Sequence, residues 1–357
     1  MDNKGAAPGA AAGSGTVPPS PATRQATIYD VAEAAGVSHQ TVSRFLRGFE
    51  GIRPATKQRV VDALEKLNYR PNLSARSLTT GQSHRIGALT HEIAHFGPSK
   101  VLQGASAAAR EAGYLLDIVT LDVSDRGSIE EALALVMQHD LAGVVALAST
   151  DEMREAFERT EFRVPSYIGS EEDDALTGRP SQLTTIGFPA LIGHLASLGH
   201  RRFLHVAGPT TFPAARNRAR AYEAAIAEQG LRSEGIVFGD WSAKSGYEAI
   251  AGMPSTLQAT AVVAANDQMA LGAMLALSER GLSVPGDVSV TGVDDIPEAA
   301  YFAPPLTTLR VDFAAQGRTA VQELLGQINR TTLPPGDVLA SELVPRRSTG
   351  PAPAPLP

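Results

Sequence analysis

Between residues 27 and 78, apolar side chains recur at intervals of three and four positions, which is the spacing of one face of an α-helix. Ile28, Val31 and Ala35 form the first such stripe. Thr27 precedes it as an N-cap, and Gly36 follows it at the position where a left-handed residue ends a helix. The pattern therefore predicts a short helix with a defined beginning and end.

A second helix follows immediately, capped by Ser38, and its two faces differ in chemistry. One face is apolar, with Val42, Phe45 and Leu46, and the opposite face carries His39, Gln40, Ser43 and Arg44. Arginine pairs with guanine through two hydrogen bonds and glutamine does so with adenine, so this face can recognise base edges in a DNA groove. The alternative is an ordinary helical hairpin with a polar outer surface, because short helix pairs are common.

A third helix begins at Pro54, a residue suited to the first turn, and its buried stripe includes Val60 and Leu64. Beyond it, Asn72 is positioned to cap a further helix over residues 73–78. Such a segment is too short for a stable isolated helix. We therefore expect it to be helical only when a partner helix or a DNA groove holds it.

From residue 85 to residue 347 the pattern changes to short apolar runs that alternate with amphipathic segments. The apolar runs predict strands at Ile86–Thr90, Leu115–Leu121, Val144–Leu147, Phe203–Ala207, Ala261–Ala264 and Val288–Val293. The amphipathic segments predict helices at Gln103–Ala112, Ile129–Gln138, Ala214–Gln229, Gln268–Arg280 and Ala314–Ile328. This alternation is typical of an α/β fold with parallel sheets covered by helices, and its length favours two lobes with a cleft.

Composition limits the class of protein. The chain has 357 residues, 43% of them hydrophobic, which suits two or three domains, and no apolar run is long enough for a membrane helix. Residues 1–25 lack the charged-then-apolar order of a secretory signal, and we expect flexible tails there and at the Pro-rich residues 348–357. The absence of cysteine excludes disulfides and thiolate metal sites and fits the cytoplasm.

The net charge of −7, taken over the whole chain, argues against a nucleic-acid partner. Its distribution reverses that conclusion. Residues 24–85 contain ten Lys and Arg against five Asp and Glu, whereas the remainder contains 21 against 33. A small basic module on an acidic body is the pattern expected when only one part of a chain contacts phosphates.

Together these segments resemble the lactose-repressor family of bacterial transcription regulators. The strings that carry the resemblance are YDVAEAAGVSHQTVSR, LNYRPN, ARSL, HVAGP, AANDQMALGAM and VTGVDDIPEAAYFAPPLTTLRVDF, in the family's order over residues 26–347. The resemblance implies a helix-turn-helix headpiece at 26–71 and a hinge helix and linker at 72–84. It also implies a two-lobed core at 85–347, like periplasmic sugar-binding proteins, for effector binding and dimerisation.

For the headpiece, the resemblance implies double-stranded operator DNA as the partner, bound by a homodimer at an inverted repeat with a central CG step. The residues placed at the DNA are Thr27, Tyr29, His39, Gln40, Thr41, Ser43, Arg44, Arg47, Thr56, Tyr69, Asn72, Ala75 and Leu78. We expect Arg44 to contact a guanine, and Leu78 to wedge into the minor groove and bend the duplex. The Pro-rich C-terminus has no leucine heptads, which favours a dimer over a tetramer.

For the core, the resemblance implies a small sugar between the lobes. It brings five positions to the effector site, Arg216, Trp241, Asn266, Asp294 and Phe313, and His91 after the first strand is a sixth candidate. Planar polar groups suit sugar hydroxyls, and aromatic faces suit the ring. The residues alone leave simpler alternatives, since Asp267 and Asp294 could cap helices and Trp241 could be a core residue.

Two features depart from the family pattern. Many sugar-sensing relatives have an aspartate at the end of the strand before the lobe crossover, and Gly169 occupies that position here. Glu171, Glu172 and Asp173 are candidates to replace it. An Asp-x-x-x-Gly pattern before the helix that leads to LGH is also missing. Both departures bear on the identity of the effector.

The string HEIAH at residues 91–95 matches the HExxH pattern of zinc proteases. That chemistry needs both histidines on one helical face, but the string directly follows a predicted strand, and Gly97-Pro98 breaks the chain soon after. We therefore interpret it as a loop at the cleft mouth. No nucleophile elbow, phosphate-binding glycine loop or clear acid–base pair occurs elsewhere in the sequence, so we expect no enzyme activity, no cofactor and no metal.

Two other classes of function stay open on the sequence. The core could be an enzyme on a two-lobed scaffold, although the lack of a catalytic constellation counts against this. It could also bind a protein partner or a nucleobase in place of a sugar. The pattern as a whole favours a DNA-binding transcriptional repressor of sugar-utilisation genes, with an operator affinity that a small sugar controls.

Overall fold

The computed structural model describes residues 26–46, 48–69, 83–91, 93–122, 126–178, 181, 183–331 and 341–354. The chain divides between residues 81 and 82 into two compact units. The first is a small helical headpiece and the second is an α/β core. The α/β class and the parallel sheets that the sequence predicts are confirmed.

The described headpiece consists of α1 (Ile28–Ala35), α2 (His39–Leu46) and α3 (Pro54–Lys66). Thr27 caps α1 through a capping box, and Gly36 ends it at φ 61°, as the sequence predicts. Small apolar side chains fill the centre where the helices meet: Val31, Ala32, Ala35, Val42, Val60 and Ala63. Because this core lies on one side of α2, the opposite side of that helix is open to solvent.

The core alternates strands and helices over most of its length. Its strands are β1 (Arg85–His91), β2 (Leu115–Leu121), β3 (Gly143–Ala148), β4 (Ser166–Ser170), β5 (Arg202–Ala207), β6 (Arg232–Phe238), β7 (Ala261–Ala264), β8 (Ser289–Asp294), β9 (Thr307–Val311) and β10 (Ser341–Val344). Its α-helices are α4 (Phe96–Glu111), α5 (Arg126–Met137), α6 (Asp151–Arg159), α7 (Asp174–Thr177), α8 (Phe188–Ser197), α9 (Pro213–Glu228), α10 (Ala243–Ala251), α11 (Asp267–Glu279) and α12 (Phe313–Asn329). A π-helical turn at Leu183–Gly187 and a 3-10 turn at Pro297–Tyr301 complete the described elements.

The strands form two sheets, one in each lobe. The sheet of the first lobe has the order β2-β1-β3-β4 and is parallel. The sheet of the second lobe has the order β10-β9-β8-β7-β5-β6 and is parallel except for β10, which runs antiparallel to β9. Ligands of open parallel sheets bind outside the carboxyl ends of the strands, so the loops that follow β1, β3, β4, β5, β7 and β8 are the places to examine.

The predicted strands are all present, whereas the sequence pattern missed β4, β6, β9 and β10. Three of the missed strands lie at sheet edges, where exposed polar positions interrupt the apolar run. The fourth, β9, contains Thr307 and Thr308, which are wholly buried although their side chains are polar. Hydrophobic periodicity therefore finds central strands better than edge strands or polar ones.

The expectation that Gly97-Pro98 breaks the chain is wrong. Helix α4 begins at Phe96, seven residues before the predicted start, and Pro98 lies in its first turn. The backbone N–H groups of a first turn have no helical partner, so a proline costs nothing there. The helix consequently starts close to the end of β1 and brings Phe96 to the edge of the sheet.

The chain passes between the lobes more than once. It enters the second lobe after β4, returns as α12, which packs on α4, β3 and β4, and then supplies β10 to the second sheet. Helices α4 and α12 cross in direct backbone contact, because a Cβ atom at Gly104 or Gly317 would collide with the partner helix. Helices α10 and α11 cross in the same way at Gly246 and Gly272. These crossings leave no room for a side chain, so each pair is held at a fixed distance.

The predicted tail at residues 348–357 requires correction. Ser348 is wholly buried, accepts a hydrogen bond from the backbone N–H of Thr307 and donates one to the carbonyl of Val290. Farther along, the backbone N–H of Ala352 donates to the carbonyl of Leu198. Residues 348–354 are therefore part of the core, and residues 355–357 lie outside the described residues. Composition alone missed this because Pro-rich segments form few regular elements but still pack.

Candidate functional site

The outer face of α2 presents the side chains that the sequence predicts for DNA. His39, Gln40 and Arg44 are exposed, while Val42 on the opposite face is wholly buried. Ser38 caps the helix by accepting a hydrogen bond from the backbone N–H of Thr41 at 3.3 Å. The two-faced pattern is thus confirmed, and the polar face has the size and chemistry of a base-recognition surface.

The remaining headpiece candidates differ in their placement. Tyr29 is exposed with its ring centroid 5.2 Å from that of His39, whereas Thr27 is engaged in the α1 cap. Four others are half-buried: Thr41, Ser43, Thr56 and Tyr69. The last four lie outside the described residues: Arg47, Asn72, Ala75 and Leu78. The DNA role of all of them stays a prediction.

Sequence analysis missed Phe49, which lies in the turn after α2. Its ring is more than half exposed, and the guanidinium of Arg44 lies 5.7 Å above its centroid. A Cβ atom at Gly51 would meet the same ring at 2.5 Å, so only glycine leaves space for this placement. The ring therefore holds the guanidinium at the edge of the polar face through a cation–π contact.

A cavity of about 620 Å³ lies within the core, lined by residues from both lobes. Its walls come mainly from the carboxyl ends of parallel strands, as expected for open sheets. The polar lining includes His91, Ser149, Glu171, Glu172, Arg218, Asn266, Gln268 and Asp294, and the aromatic lining includes Phe96, Tyr167, Phe212, Trp241 and Phe313. This volume and mixture are typical of a small-molecule site.

Asp294 and Arg218 form the floor of the cavity. Both are more than nine-tenths buried, and Nη1 of Arg218 lies 4.0 Å from Oδ1 of Asp294. Neither that Oδ1 atom nor Nε of Arg218 has a hydrogen-bond partner in the described structure. Burial raises the pKa of Asp294 to about 7, although the charge of Arg218 opposes the increase. A buried polar atom without a hydrogen bond destabilises the fold, so both atoms indicate a ligand that supplies the missing hydrogen bonds.

Asn266 joins the cavity wall to the start of α11. Its Oδ1 atom caps the helix by accepting from the backbone N–H of Met269 at 2.8 Å, and its Nδ2 atom donates to the carbonyl of Trp241 at 2.9 Å. The cap is therefore Asn266, and the alternative that Asp267 caps this helix is wrong. Asp267 instead accepts hydrogen bonds from Thr308 and from the backbone N–H of Ile296.

Trp241 lies on the cavity wall, half-buried, with the guanidinium of Arg218 5.3 Å from its ring centroid. Its backbone has φ 70°, an uncommon value for a bulky residue. A Cβ atom at Gly208 would overlap the indole ring, so that glycine provides the space for it. The alternative that Trp241 is an ordinary core residue does not explain this strained position beside a cavity.

Arg216, the arginine predicted for the effector, does not line the cavity. Its guanidinium is engaged by Asp151 at 2.9 Å and by Asp173 at 2.8 Å. The arginine that lines the cavity is Arg218, two residues later. Both arginines follow the GP pair at similar distances, and on an α-helix two residues correspond to a rotation of about 200°, so they lie on opposite faces. The structure therefore moves the proposed contact from Arg216 to Arg218.

His91 and Phe313 do line the cavity. His91 is buried, with Nδ1 2.9 Å from the hydroxyl of Ser149 and its ring 5.7 Å from that of Phe212. Phe313 packs edge-to-face against Phe96 at 6.2 Å. His91 therefore supplies a polar group to the cavity, and Phe313 supplies an apolar surface.

Gly169 stands where many sugar-sensing relatives have an aspartate, and its surroundings show which nearby acidic residues reach the cavity. A Cβ atom there would lie 3.1 Å from the ring of Tyr167, which occupies the adjacent space. Among the three candidates to replace the missing aspartate, Glu171 and Glu172 line the cavity, and Asp173 instead pairs with arginines. Burial raises the pKa of Glu171, and the charge of Arg218 opposes this. Glu171 is therefore a half-buried acidic group that this cleft presents near Arg218, in addition to Asp294.

The HExxH pattern lacks the geometry of a zinc protease. His91 is the last residue of β1, and His95 immediately precedes α4, so the two histidines do not share a helical face. Within the described residues, no group of three or more His, Asp or Glu side chains is arranged to bind a metal ion. Among the described helices, none combines the length and the apolar character needed to cross a membrane.

Two family models match the chain. One, described as bacterial regulatory proteins of the lacI family, covers residues 27–72, and the other, a periplasmic binding protein-like domain, covers residues 192–349. The lactose operon repressor of Escherichia coli strain K12 is 32% identical over 325 residues, which cover 90% of each chain. The ribose operon repressor of the same strain is 32% identical over 86% of this chain and 94% of its own length.

Solved structures agree with these matches. The lac repressor dimer bound to operator and the anti-inducer ONPF has a TM-score of 0.81 at 31% identity, covering 92% of this chain and all of the other. The complex of the transcriptional regulator CelR with cellobiose has a TM-score of 0.65 at 26% identity, covering 90% and 99%. The similarity spans headpiece and core together, at full-length coverage of the relatives. The chain therefore belongs to the LacI family of bacterial regulatory proteins.

Proposed function

We propose that the protein is a homodimeric, sequence-specific DNA-binding repressor of sugar-utilisation genes, and that a small sugar in the core cavity controls its affinity for the operator. It is a transcription regulator and not an enzyme. Because its partner is operator DNA, we place it in the cytoplasm. The observation that carries the proposal is the pair of partnerless buried atoms on the cavity floor, Oδ1 of Asp294 and Nε of Arg218.

A sugar hydroxyl fits that pair because it can donate to the carboxylate and accept from the guanidinium at once. Trp241 and Phe212 supply aromatic faces on the same cavity, at 6.0 Å from each other and nearly perpendicular. Apolar C–H faces of a sugar ring pack on such surfaces. The cavity volume of about 620 Å³ accommodates a sugar larger than a single ring.

Dimerisation is supported by large apolar side chains that the second lobe exposes. Leu271 and Leu275 lie one turn apart on α11 and are 41% and 54% exposed, and Tyr301 is 87% exposed. Large exposed apolar side chains of this kind are typical of protein–protein interfaces. A two-fold dimer would present two copies of α2 to an inverted repeat, and Asn72, Ala75 and Leu78 are proposed to contact its centre.

The test is a titration of operator binding, with the operator recovered by selection from random DNA. Sugars and nucleobases are added separately, since the two classes distinguish the proposal from a nucleobase regulator. Asp294→Asn and Arg218→Ala should each reduce the response to the active sugar by about 100-fold or more, because each leaves a buried polar partner unpaired at about 2 to 3 kcal/mol. Their operator affinity without ligand should stay nearly unchanged.

Arg216→Ala is the matched control, because Arg216 lies on the same helix but outside the cavity lining. It should leave the sugar affinity nearly unchanged. If both cavity variants respond to the sugar as the wild type does, the effector does not bind at this floor. If a nucleobase and no sugar alters operator binding, the proposed effector class is wrong.

A further inference from the structure

Arg44 lies in the last turn of α2, exposed on the polar face that the proposed function assigns to DNA. Within the described residues its guanidinium forms no ion pair and no hydrogen bond, and the contact that it makes is with the ring of Phe49. An unrestrained arginine side chain has many rotamers, and ordering it on a base costs conformational entropy. A group that holds the guanidinium in place before DNA arrives therefore increases the affinity.

The backbone of the turn after α2 brings Phe49 to Arg44. Gly48 has φ 77°, in the left-handed region, and its N–H donates to the carbonyl of Phe45 at 2.9 Å. The N–H of Phe49 donates to the carbonyl of Arg44 at 3.0 Å. These two hydrogen bonds form a Schellman motif, in which the residue after the left-handed one packs on the residue five positions earlier. That contact is usually between two apolar side chains, and here an arginine takes one of the two places.

The ring of Phe49 has no evident role in packing the headpiece. It is more than half exposed and is not among the side chains that pack in the core of the three helices. A Cβ atom at Gly51 would lie 2.5 Å from Cε1 and 2.8 Å from Cζ of the ring. The turn thus supplies the backbone conformation and the space for an aromatic ring that the fold itself does not need.

An aromatic ring suits this task better than a carboxylate. Both attract a guanidinium, but a carboxylate accepts hydrogen bonds from the N–H groups and neutralises the charge. A ring attracts the cation through its face and leaves those N–H donors available for O6 and N7 of guanine. The 5.7 Å between the guanidinium and the ring centroid is within the range of such a contact.

We propose that Phe49 is a positioning residue for DNA recognition, which holds Arg44 in the place from which it binds a guanine. The proposal rests on the proposed function for the DNA and on Arg44 as the base contact. It places a determinant of sequence specificity outside the recognition helix, in the turn that follows it. Because binding to random DNA depends on charge and not on the direction of one side chain, Phe49 increases the affinity for the operator alone.

The test measures fluorescence anisotropy of the full-length protein on the selected operator and on random DNA. Phe49→Leu keeps an apolar side chain in the motif but removes the aromatic face. It should weaken operator binding by about two- to fivefold, the effect of one exposed cation–π contact, and change binding to random DNA by less than about 1.5-fold. Phe49→Tyr keeps the face and should retain the operator affinity. The unfolding temperature should be nearly unchanged in both variants, because residue 49 lies outside the headpiece core.

Two further variants distinguish positioning from a direct contact of Phe49 with DNA. Gly51→Ala leaves Arg44 and Phe49 in the chain but occupies the space of the ring, so it should reproduce the loss that Phe49→Leu causes. Arg44→Ala is the matched background, because it removes the group that the ring holds. Phe49→Leu should cause no further loss in that background, and the two substitutions should therefore be non-additive.

The outcomes separate this proposal from the proposed function. If the protein binds a selected operator and Phe49→Leu leaves that affinity unchanged, the repressor function stands and the positioning role is wrong. Equal losses on operator and random DNA, or a loss that persists in the Arg44→Ala background, would show that the ring contacts DNA itself and would also overturn the proposal. If selection recovers no operator, the proposed function fails and the positioning role fails with it.

Discussion

The outer face of α2 and the floor of the cavity place their functional side chains in opposite environments. On α2, His39, Gln40 and Arg44 are exposed and lie outside the headpiece core. On the cavity floor, Arg218 and Asp294 are more than nine-tenths buried. Side chains on the helix face can change without disturbing a core, whereas those on the floor are also part of the packed structure that surrounds them.

Asn266 provides a test of this contrast, because it lines the cavity and also stabilises the fold. Asn266→Ala removes the cap on α11 and the hydrogen bond to the carbonyl of Trp241, so the free energy of unfolding of the core should fall by about 2 kcal/mol. Sugar binding should weaken as well, because the segment that holds Trp241 loses its tether. Urea denaturation followed by circular dichroism measures the first effect, and tryptophan fluorescence measures the second.

A conservative variant separates the two contacts of Asn266. Asn266→Asp keeps an oxygen acceptor for the helix cap and loses the amide donor, so we expect about half of the loss of stability, about 1 kcal/mol. If the free energy of unfolding of Asn266→Ala lies within about 0.5 kcal/mol of the wild-type value, Asn266 does not stabilise the fold. The proposed difference between the cavity wall and the outer face of α2 would then be wrong.

The helix face should behave in the opposite way. Arg44→Ala should weaken binding to the selected operator by about 1 to 3 kcal/mol, as expected for one bidentate base contact, and weaken binding to random DNA much less. Its free energy of unfolding should change by less than about 0.5 kcal/mol because Arg44 is exposed. Fluorescence anisotropy on both DNAs decides the matter: equal losses would mean that Arg44 contacts phosphate and does not recognise a base.

The smallest expected effect on binding concerns pH and the pKa of Asp294, which burial raises to about 7. The folded protein therefore keeps this proton up to neutrality, and its stability should fall as the pH rises from the ordinary carboxyl range through about 7. The ionised carboxylate is the better acceptor for a sugar hydroxyl, so sugar affinity should rise about three- to tenfold between about pH 6 and about pH 8. Asp294→Asn should abolish this dependence in fluorescence titrations, and a dependence that persists would assign it to another group.

The difference between the two regions also explains what the sequence predicts. On α2, the cap, the apolar stripe and the polar face are all encoded within about ten consecutive residues, so their positions follow from helical periodicity. The contact between Arg44 and Phe49 escapes that analysis, because it depends on the conformation of a turn and on the space at Gly51.

The cavity is assembled from strand ends that lie far apart in sequence, and local patterns are weak there. Arg216 and Arg218 are equally good candidates in the sequence, and only the direction of each side chain on α9 distinguishes them. Among the three acidic candidates after Gly169, the sequence does not show that Glu171 and Glu172 line the cavity whereas Asp173 pairs with arginines. Five of the six effector candidates that the resemblance supplies or the sequence suggests line the cavity, namely His91, Trp241, Asn266, Asp294 and Phe313, and Arg216 is the exception.

The repeated passage of the chain between the lobes affects how such a protein can diversify by recombination. Residues 26–69 are one contiguous stretch, so a single crossover in the gene would transfer the three described headpiece helices together. Neither lobe is contiguous, since α12 belongs with β1–β4 although a whole sheet separates them in the sequence. A crossover inside the core would join α4 and α12 from different parents at a crossing where Gly104 and Gly317 allow no misfit. Descent should therefore exchange the headpiece helices more readily than parts of the core, which should be inherited as a single piece.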